Sequence, residues 1–179
     1  MEKKNSVYIG TSLDGYIADS DGKIDFLDTF TFPEGEDMGY YAFMDRIDAL
    51  VMGRVTFETV LGFNVPWPYQ KPVYVLSNTL EQLPADYEDK AHLIKGPLKE
   101  VLANIHKQGH SRLYIDGGST IQSFLKEDLI DEMIITTIPV LVGGGHPLFG
   151  EVNQTLIFEC ANTQRFADKV VQNRFLRIK

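Results

Sequence analysis

Three short apolar runs, Ala49 to Met52, Pro72 to Leu76 and Arg112 to Ile115, each end in a polar or glycine-bearing group, and two of them pass directly into residues with helical spacing. These runs lack the alternation of a strand with one wet face, so both of their faces are expected to be covered. Buried strands that alternate with helices pair in parallel through right-handed crossovers. The pattern therefore limits the chain to an α/β sheet with helices packed on its two faces.

The remaining segments fit around that centre. Ser6 to Thr11 (SVYIGT) reads as a first strand, and Ser12 to Lys23 as a loop broken at Asp14-Gly15 and Asp21-Gly22. Met38, Tyr41, Phe43 and Ile47 suggest a helix, RVTFETVL a second one, and His92 to Lys95 another short strand. Pro97 opens a helix that turns Leu98, Val101, Leu102 and Ile105 to one face and stops at Gly109. A last helix is expected from about Ser119 to Lys126. Beyond it, Glu132 to Pro139, Leu156 to Ala161 and Val170 to Ile178 have strand character without intervening helices, which predicts antiparallel strands added at an edge. The expected architecture is a three-layer α/β domain with a mixed, mostly parallel sheet. At 179 residues and 44% hydrophobic composition, one buried core and a single domain over 1–179 are expected.

A net charge of −8 argues against nucleic acid as a partner, because neutralising phosphates needs clustered Lys and Arg. No apolar run approaches the roughly 18 residues of a membrane span, so no membrane role is expected. The single Cys160 sits in an apolar strand pattern and is expected in the core. With no basic-then-apolar leader after MEKKNS, the cytoplasm is the expected compartment. His106 and His110 are separated by a helix-ending Gly109, which argues against a metal site.

In open sheets of this kind, ligands sit at the carboxyl ends of the parallel strands. Three such ends carry candidate residues. After the first, Gly53 allows close backbone approach, Arg54 offers a planar fork suited to phosphate, and Thr56 adds a hydroxyl at a helix amino terminus. After the second stands the polar pair Ser77-Asn78, which also suits ordinary turn chemistry. After the third, Asp116 precedes Gly117-Gly118, with Ser119 and Thr120 expected to cap the helix. Together these ends describe a groove for an elongated diphosphate, with Arg54 placed for an additional phosphate. The run Val142 to His146 is also rich in glycine, but it meets Pro147 rather than a helix and reads as a loop.

The segments SLDGYIA, VMGRVTFE, PVYVLSN, YIDGGST and IPVLVGGGHPLF occur in the order found in the reductase domain of bifunctional riboflavin-biosynthesis deaminase-reductases. The chain resembles that family over nearly its whole length. The resemblance implies the fold of dihydrofolate reductase, NADPH as cofactor and a homodimer. It further implies that Gly53, Arg54 and Thr56 hold the adenosine-side phosphates, with Ser77 and Asn78 beside the 2′-phosphoribose. Gly117 and Gly118, joined by a cis peptide, would then lie with Ser119 and Thr120 along the diphosphate and nicotinamide. Asp14 matches the acid of the segment that covers the nicotinamide, and either Asp14 or Asp116 is expected to bind a polar substrate or relay a proton.

Two features set the chain apart from that family. Tyr16, a candidate substrate contact, stands where the riboflavin enzymes commonly carry lysine, and the zinc deaminase pattern is absent. Asp25-Phe26-Leu27 and the acids Glu34, Glu36 and Asp37 are candidates for a different pocket. The leading expectation is an NADPH-dependent reductase of a small heterocycle, most like the 5-amino-6-(5-phosphoribosylamino)uracil reductase of riboflavin biosynthesis. The alternatives are a folate or pterin reductase and a nucleotide-binding regulatory protein without turnover.

Overall fold

A computed structural model describes residues 2–63 and 65–179. Its strands are β1 (Lys4–Ser12), β2 (Tyr16–Ala18), β3 (Ala49–Gly53), β4 (Val73–Leu76), β5 (Ala91–Ile94), β6 (Arg112–Asp116), β7 (Glu132–Ile138), β8 (His146–Pro147), β9 (Phe158–Phe166) and β10 (Val170–Arg177). The α-helices are α1 (Tyr40–Asp45), α2 (Arg54–Gly62), α3 (Leu98–Lys107) and α4 (Gly118–Lys126). Eight strands form the central sheet in the order β5-β4-β3-β6-β1-β7-β10-β9. Strands β5 through β7 run parallel, and β10 and β9 complete the edge antiparallel.

Alternate residues of the same strands build two apolar layers. Val51, Leu113 and Ile115 meet Val101 and Ile105 of α3 and Ile121 and Phe124 of α4. Leu50, Met52 and Tyr114 meet Phe43 of α1 and Phe57 of α2 on the opposite face. Both faces of the central strands are thus buried, as their uninterrupted apolar runs imply.

Three expectations change. Strand β7 is parallel to β1, in register from Ser6 opposite Glu132 to Ser12 opposite Ile138, rather than the start of an antiparallel tail. Its direction is set by α4, which carries the chain from β6 across β1, and not by the helix-free segment that follows. The expected loop Ser12 to Lys23 contributes β2, which pairs with β8 in a small separate sheet. Cys160 is exposed, because β9 is the outer strand and most of its residues face solvent.

At the amino ends of the parallel strands one buried carboxylate gathers four partners. Glu132, with no exposed side-chain surface, accepts from Arg46 (2.7 Å), Arg174 (2.5 Å) and the Ser6 hydroxyl (2.9 Å), and Lys4 lies at 3.4 Å. Burial alone would raise its pKa, but the hydrogen bonds from Arg46 and Arg174 outweigh it and hold the carboxyl at about 2, against an ordinary 4.5. The cluster ties β1, β7 and β10 to the end of α1.

A depressed carboxyl stabilises the fold fully above its unfolded pKa and loses that contribution as the pH falls toward the folded value. Wild-type stability in urea is therefore expected to fall from pH 4.5 toward pH 2 by a component that Glu132→Gln lacks. At neutral pH the variant, which strands its cations, is expected to be less stable by about 3 kcal/mol. Equal urea midpoints for the two proteins at neutral pH would show that the cluster does not pin the sheet.

Candidate active site

Strands β3 and β6 are neighbours, with Met52 opposite Asp116, and each runs straight into a helix. The caps of α2 and α4 are Gly53 (φ −76°, ψ 164°) and Gly117 (φ 91°, ψ 136°), and neither helix receives a side-chain cap. Ser119 and Thr120, expected as caps, lie in the first turn of α4, since the helix begins at Gly118. Both amino termini consequently keep uncapped N–H groups side by side on one edge of the sheet.

The glycines at these ends are required by their neighbours. A Cβ on Gly117 would stand 2.1 Å from Thr56 Oγ1, and one on Gly53 would stand 2.7 Å from Oγ1 of the buried Thr120. Each unit's threonine fills the space left by the other unit's glycine. The expected cis bond between Gly117 and Gly118 is not found; no described peptide is cis. The positive φ of Gly117 turns the chain from strand to helix with the peptide trans. Gly118 faces Ile17, whose Cδ1 lies 2.6 Å from where a Cβ would project.

Asp14 holds two loops together. Its carboxylate accepts from the Ser12 hydroxyl (2.6 Å) and from the N–H groups of Val142 (3.1 Å) and Gly143 (2.8 Å). The Ser12 hydrogen bond, with the two backbone donors, lowers its pKa to about 2. An exposed carboxyl so held is a weak proton donor at neutral pH and a good clip. Tyr16, half-buried in β2, pairs with Pro147 and donates its N–H to Ser12 Oγ (2.9 Å). The glycine-rich loop is therefore bound to the segment at the end of β1.

Arg54, at the start of α2, donates to Glu58 at 2.9 and 3.0 Å in an exposed pair one helical turn apart. Ser77 accepts from the N–H groups of Thr79 and Leu80, and Asn78 accepts from Gly96 N–H (3.1 Å) through its side-chain oxygen. These contacts give both residues turn roles while leaving the Asn78 amide group free to donate.

Asp116 lies on the α1/α2 face of β6, with Tyr114 and away from Leu113 and Ile115. Burial raises its pKa to about 6, although the Gly117 N–H (2.8 Å) pulls it down; the Tyr114 hydroxyl donates to the Tyr8 carbonyl (2.9 Å). Tyr40 of α1 and Tyr69 of the segment before β4 also sense its charge; burial and then Asp116 push Tyr40 up to about 12 and Tyr69 higher still. Tyr40 and Tyr69 pack against the same apolar layer as Tyr114, on the face of β6 that also carries Asp116. Sequence reading singled out neither Tyr40 nor Tyr69, which come from separate segments with no shared spacing. A recess of about 400 Å³ between the carboxyl end of α2 and Trp67, Pro68 and Tyr87 is lined by none of these groups. Phe26 and Leu27, candidates for another pocket, instead pack against Ile138, Phe166 and Val170.

The parallel-centred sheet in this strand order, with helices on both faces, is a dihydrofolate reductase-like fold. Dihydrofolate reductase from Enterococcus faecalis, solved with NADP(H), superimposes over 98% of this chain and 97% of its own with a TM-score of 0.67 at 14% identity. The sequence matches the RibD C-terminal domain over residues 6–172, and the chain belongs to that family. It is 39% identical over 99% of both chains to the uncharacterized protein YwjB of Bacillus subtilis (strain 168). A structure from Shewanella sp. PV-4, described as a candidate riboflavin biosynthesis protein, is 51% identical, with a TM-score of 0.96 over 98% of this chain and 99% of its own. The Thermotoga maritima deaminase and 5-amino-6-(5-phosphoribosylamino)uracil reductase shares the fold at 15% identity and a TM-score of 0.73, and the chain covers 57% of it.

The glycine positions are expected to differ sharply in tolerance. Gly117→Ala, at a positive φ and against Thr56, should lower stability by about 2 kcal/mol or more. Gly118→Ala meets only the movable end of Ile17 and should stay within about 1 kcal/mol of wild type. Chemical denaturation of both variants checks this, and similar losses at the two positions would count against the interlock.

Proposed function

We propose that the protein is an NADPH-dependent reductase of a small heterocyclic substrate. The observation that carries this reading is the pair of adjacent, uncapped helix amino termini of α2 and α4 beside Asp116. Two such termini favour an anionic ligand by their N–H groups and their dipoles, and a dinucleotide diphosphate has the matching charge and length. Gly53, Thr56 and Gly117 to Thr120 would line it, with Ser77 and Asn78 toward the ribose.

Arg54 suits the 2′-phosphate that distinguishes NADPH from NADH. Its exposed pair with Glu58 contributes only about 0.5 kcal/mol or less, so exchange for a phosphate costs little. When bound, the nicotinamide supplies the hydride. Asp116, with a pKa near 6, is protonated in a useful fraction of molecules near neutrality and can pass that proton to the reduced centre or hold an N–H group of the substrate. Asp14 positions the loop carrying Gly143 and, through β2, keeps Ile17 against α4. Membership of the RibD C-terminal domain family supports reductase chemistry of this kind.

Nicotinamide fluorescence titrations are expected to show tighter binding of NADPH than of NADH. Arg54→Ala should weaken NADPH by about tenfold and leave NADH nearly unchanged. Equal losses for both cofactors would remove the 2′-phosphate assignment, and failure of wild-type protein to bind either would remove the reductase reading.

A further inference from the structure

The carboxyl end of α2 borders an open recess of about 400 Å³ that the candidate active site does not use. Val60 and Leu61 of the helix form one side, and Trp67, Pro68 and Tyr87 the other. Arg54 lies at the opposite end of α2, roughly 12 Å away along the helix axis. The described lining includes neither Asp14 nor Asp116, and none of the groups proposed for the cofactor.

Three features of this recess favour the same sign of charge. Two of its walls are aromatic: the ring centroids of Trp67 and Tyr87 stand 5.6 Å apart, with the planes inclined at 52°. The faces of such rings are negative and attract a cation, tryptophan most strongly. Tyr87 already serves one, since the Lys90 ammonium lies 4.9 Å from its ring centroid, and Lys90 is not part of the described lining. The helix end adds to this field. The last turn of α2 carries no basic residue, so the negative end of its dipole meets no cation from its own helix. The neighbouring chain is acidic as well. Residues 81–90, which supply Tyr87, expose Glu81, Asp86, Glu88 and Asp89 against Lys90, and the stretch that supplies Trp67 adds only the half-buried Lys71.

We infer that this recess binds an organic cation, a substituted ammonium group on a small apolar body. Val60, Leu61 and Pro68 cover the alkyl part, and Trp67 and Tyr87 take the charge. A bare metal ion does not suit the site, because the described lining holds no carboxylate or imidazole to ligate it. A bulky ammonium needs no such ligand, since its charge is presented through alkyl groups that pack against the rings. The inference is independent of the reductase reading, because it concerns another part of the molecule and is tested without NADPH.

Trp67 is the single tryptophan of the chain, so its emission reports on the recess. The test is titration of the full chain with choline chloride at ionic strength held constant with sodium chloride, followed by tryptophan fluorescence. A saturable change is expected, with 3,3-dimethyl-1-butanol, the uncharged molecule of the same shape, binding at least about tenfold more weakly. Tyr87→Leu should weaken choline by about tenfold, with its fold checked by circular dichroism. The wild-type comparison of choline with the alcohol carries the decision if that variant fails to fold. Equal binding of the two probes would overturn the inference, since the recess would then be indifferent to charge. So would the lack of a saturable response up to about 10 mM choline, or unchanged choline affinity in folded Tyr87→Leu.

Discussion

The reciprocal packing of Gly53 against Thr120 and Gly117 against Thr56 fixes the two βα junctions at the centre of the sheet. Because β3 and β6 are hydrogen-bonded neighbours, the helices that follow them must begin close together. A side chain at either glycine would push one helix away from the other. The fit therefore places two positive dipole ends on the same edge, where they repel each other and favour negative charge between them. Asp116 stands at this junction, and its pKa is nevertheless raised, so desolvation on the α1/α2 face dominates there.

The parallel centre was legible because strands covered on both faces leave uninterrupted apolar runs, and Ala49 to Met52 and Arg112 to Ile115 are such runs. The direction of β7 was misread because strand polarity depends on the preceding crossover, while the helix-free composition after it describes only β9 and β10. The pairing of β2 with β8 had no periodic signal at all. It joins two very short segments where a Cβ on Gly145 would stand 2.3 Å from the Ala18 carbonyl oxygen, a contact visible only once the chain is folded.

For the site, the sequence announced that something approaches the glycines closely, and the expectation there is a dinucleotide cofactor. In the structure the nearest groups are Thr56, Thr120 and Ile17. Asp116 could be placed at a strand end from its position after LYI, but its aromatic surroundings come from α1 and from the loop before β4. Tyr40 and Tyr69 join that face of β6 only through tertiary packing, which no local spacing encodes. Asp14 illustrates the same limit in reverse: its place in an Asp-Gly turn was plain, whereas its partners Val142 and Gly143 lie in a distant loop.

Charge is divided between the two ends of the sheet. At the amino ends Lys4, Arg46 and Arg174 converge on Glu132. At the carboxyl ends the side chains are mostly polar, Thr56, Ser77, Asn78, Ser119 and Thr120 with Asp116, and positive potential comes from Arg54 and from the backbone N–H groups at the starts of α2 and α4. Such a surface separates ligands by geometry as well as by sign. An anion is favoured where the two helices begin, and Asp116 stands at the end of the strand that leads into the second of them. The bonds of Asp14 to Val142 and Gly143, with the Leu148 N–H on the Gly15 carbonyl (3.0 Å), join the two loops into one unit. Ile17 belongs to that unit and packs on Gly118, so displacement of either loop would disturb the cover over the start of α4.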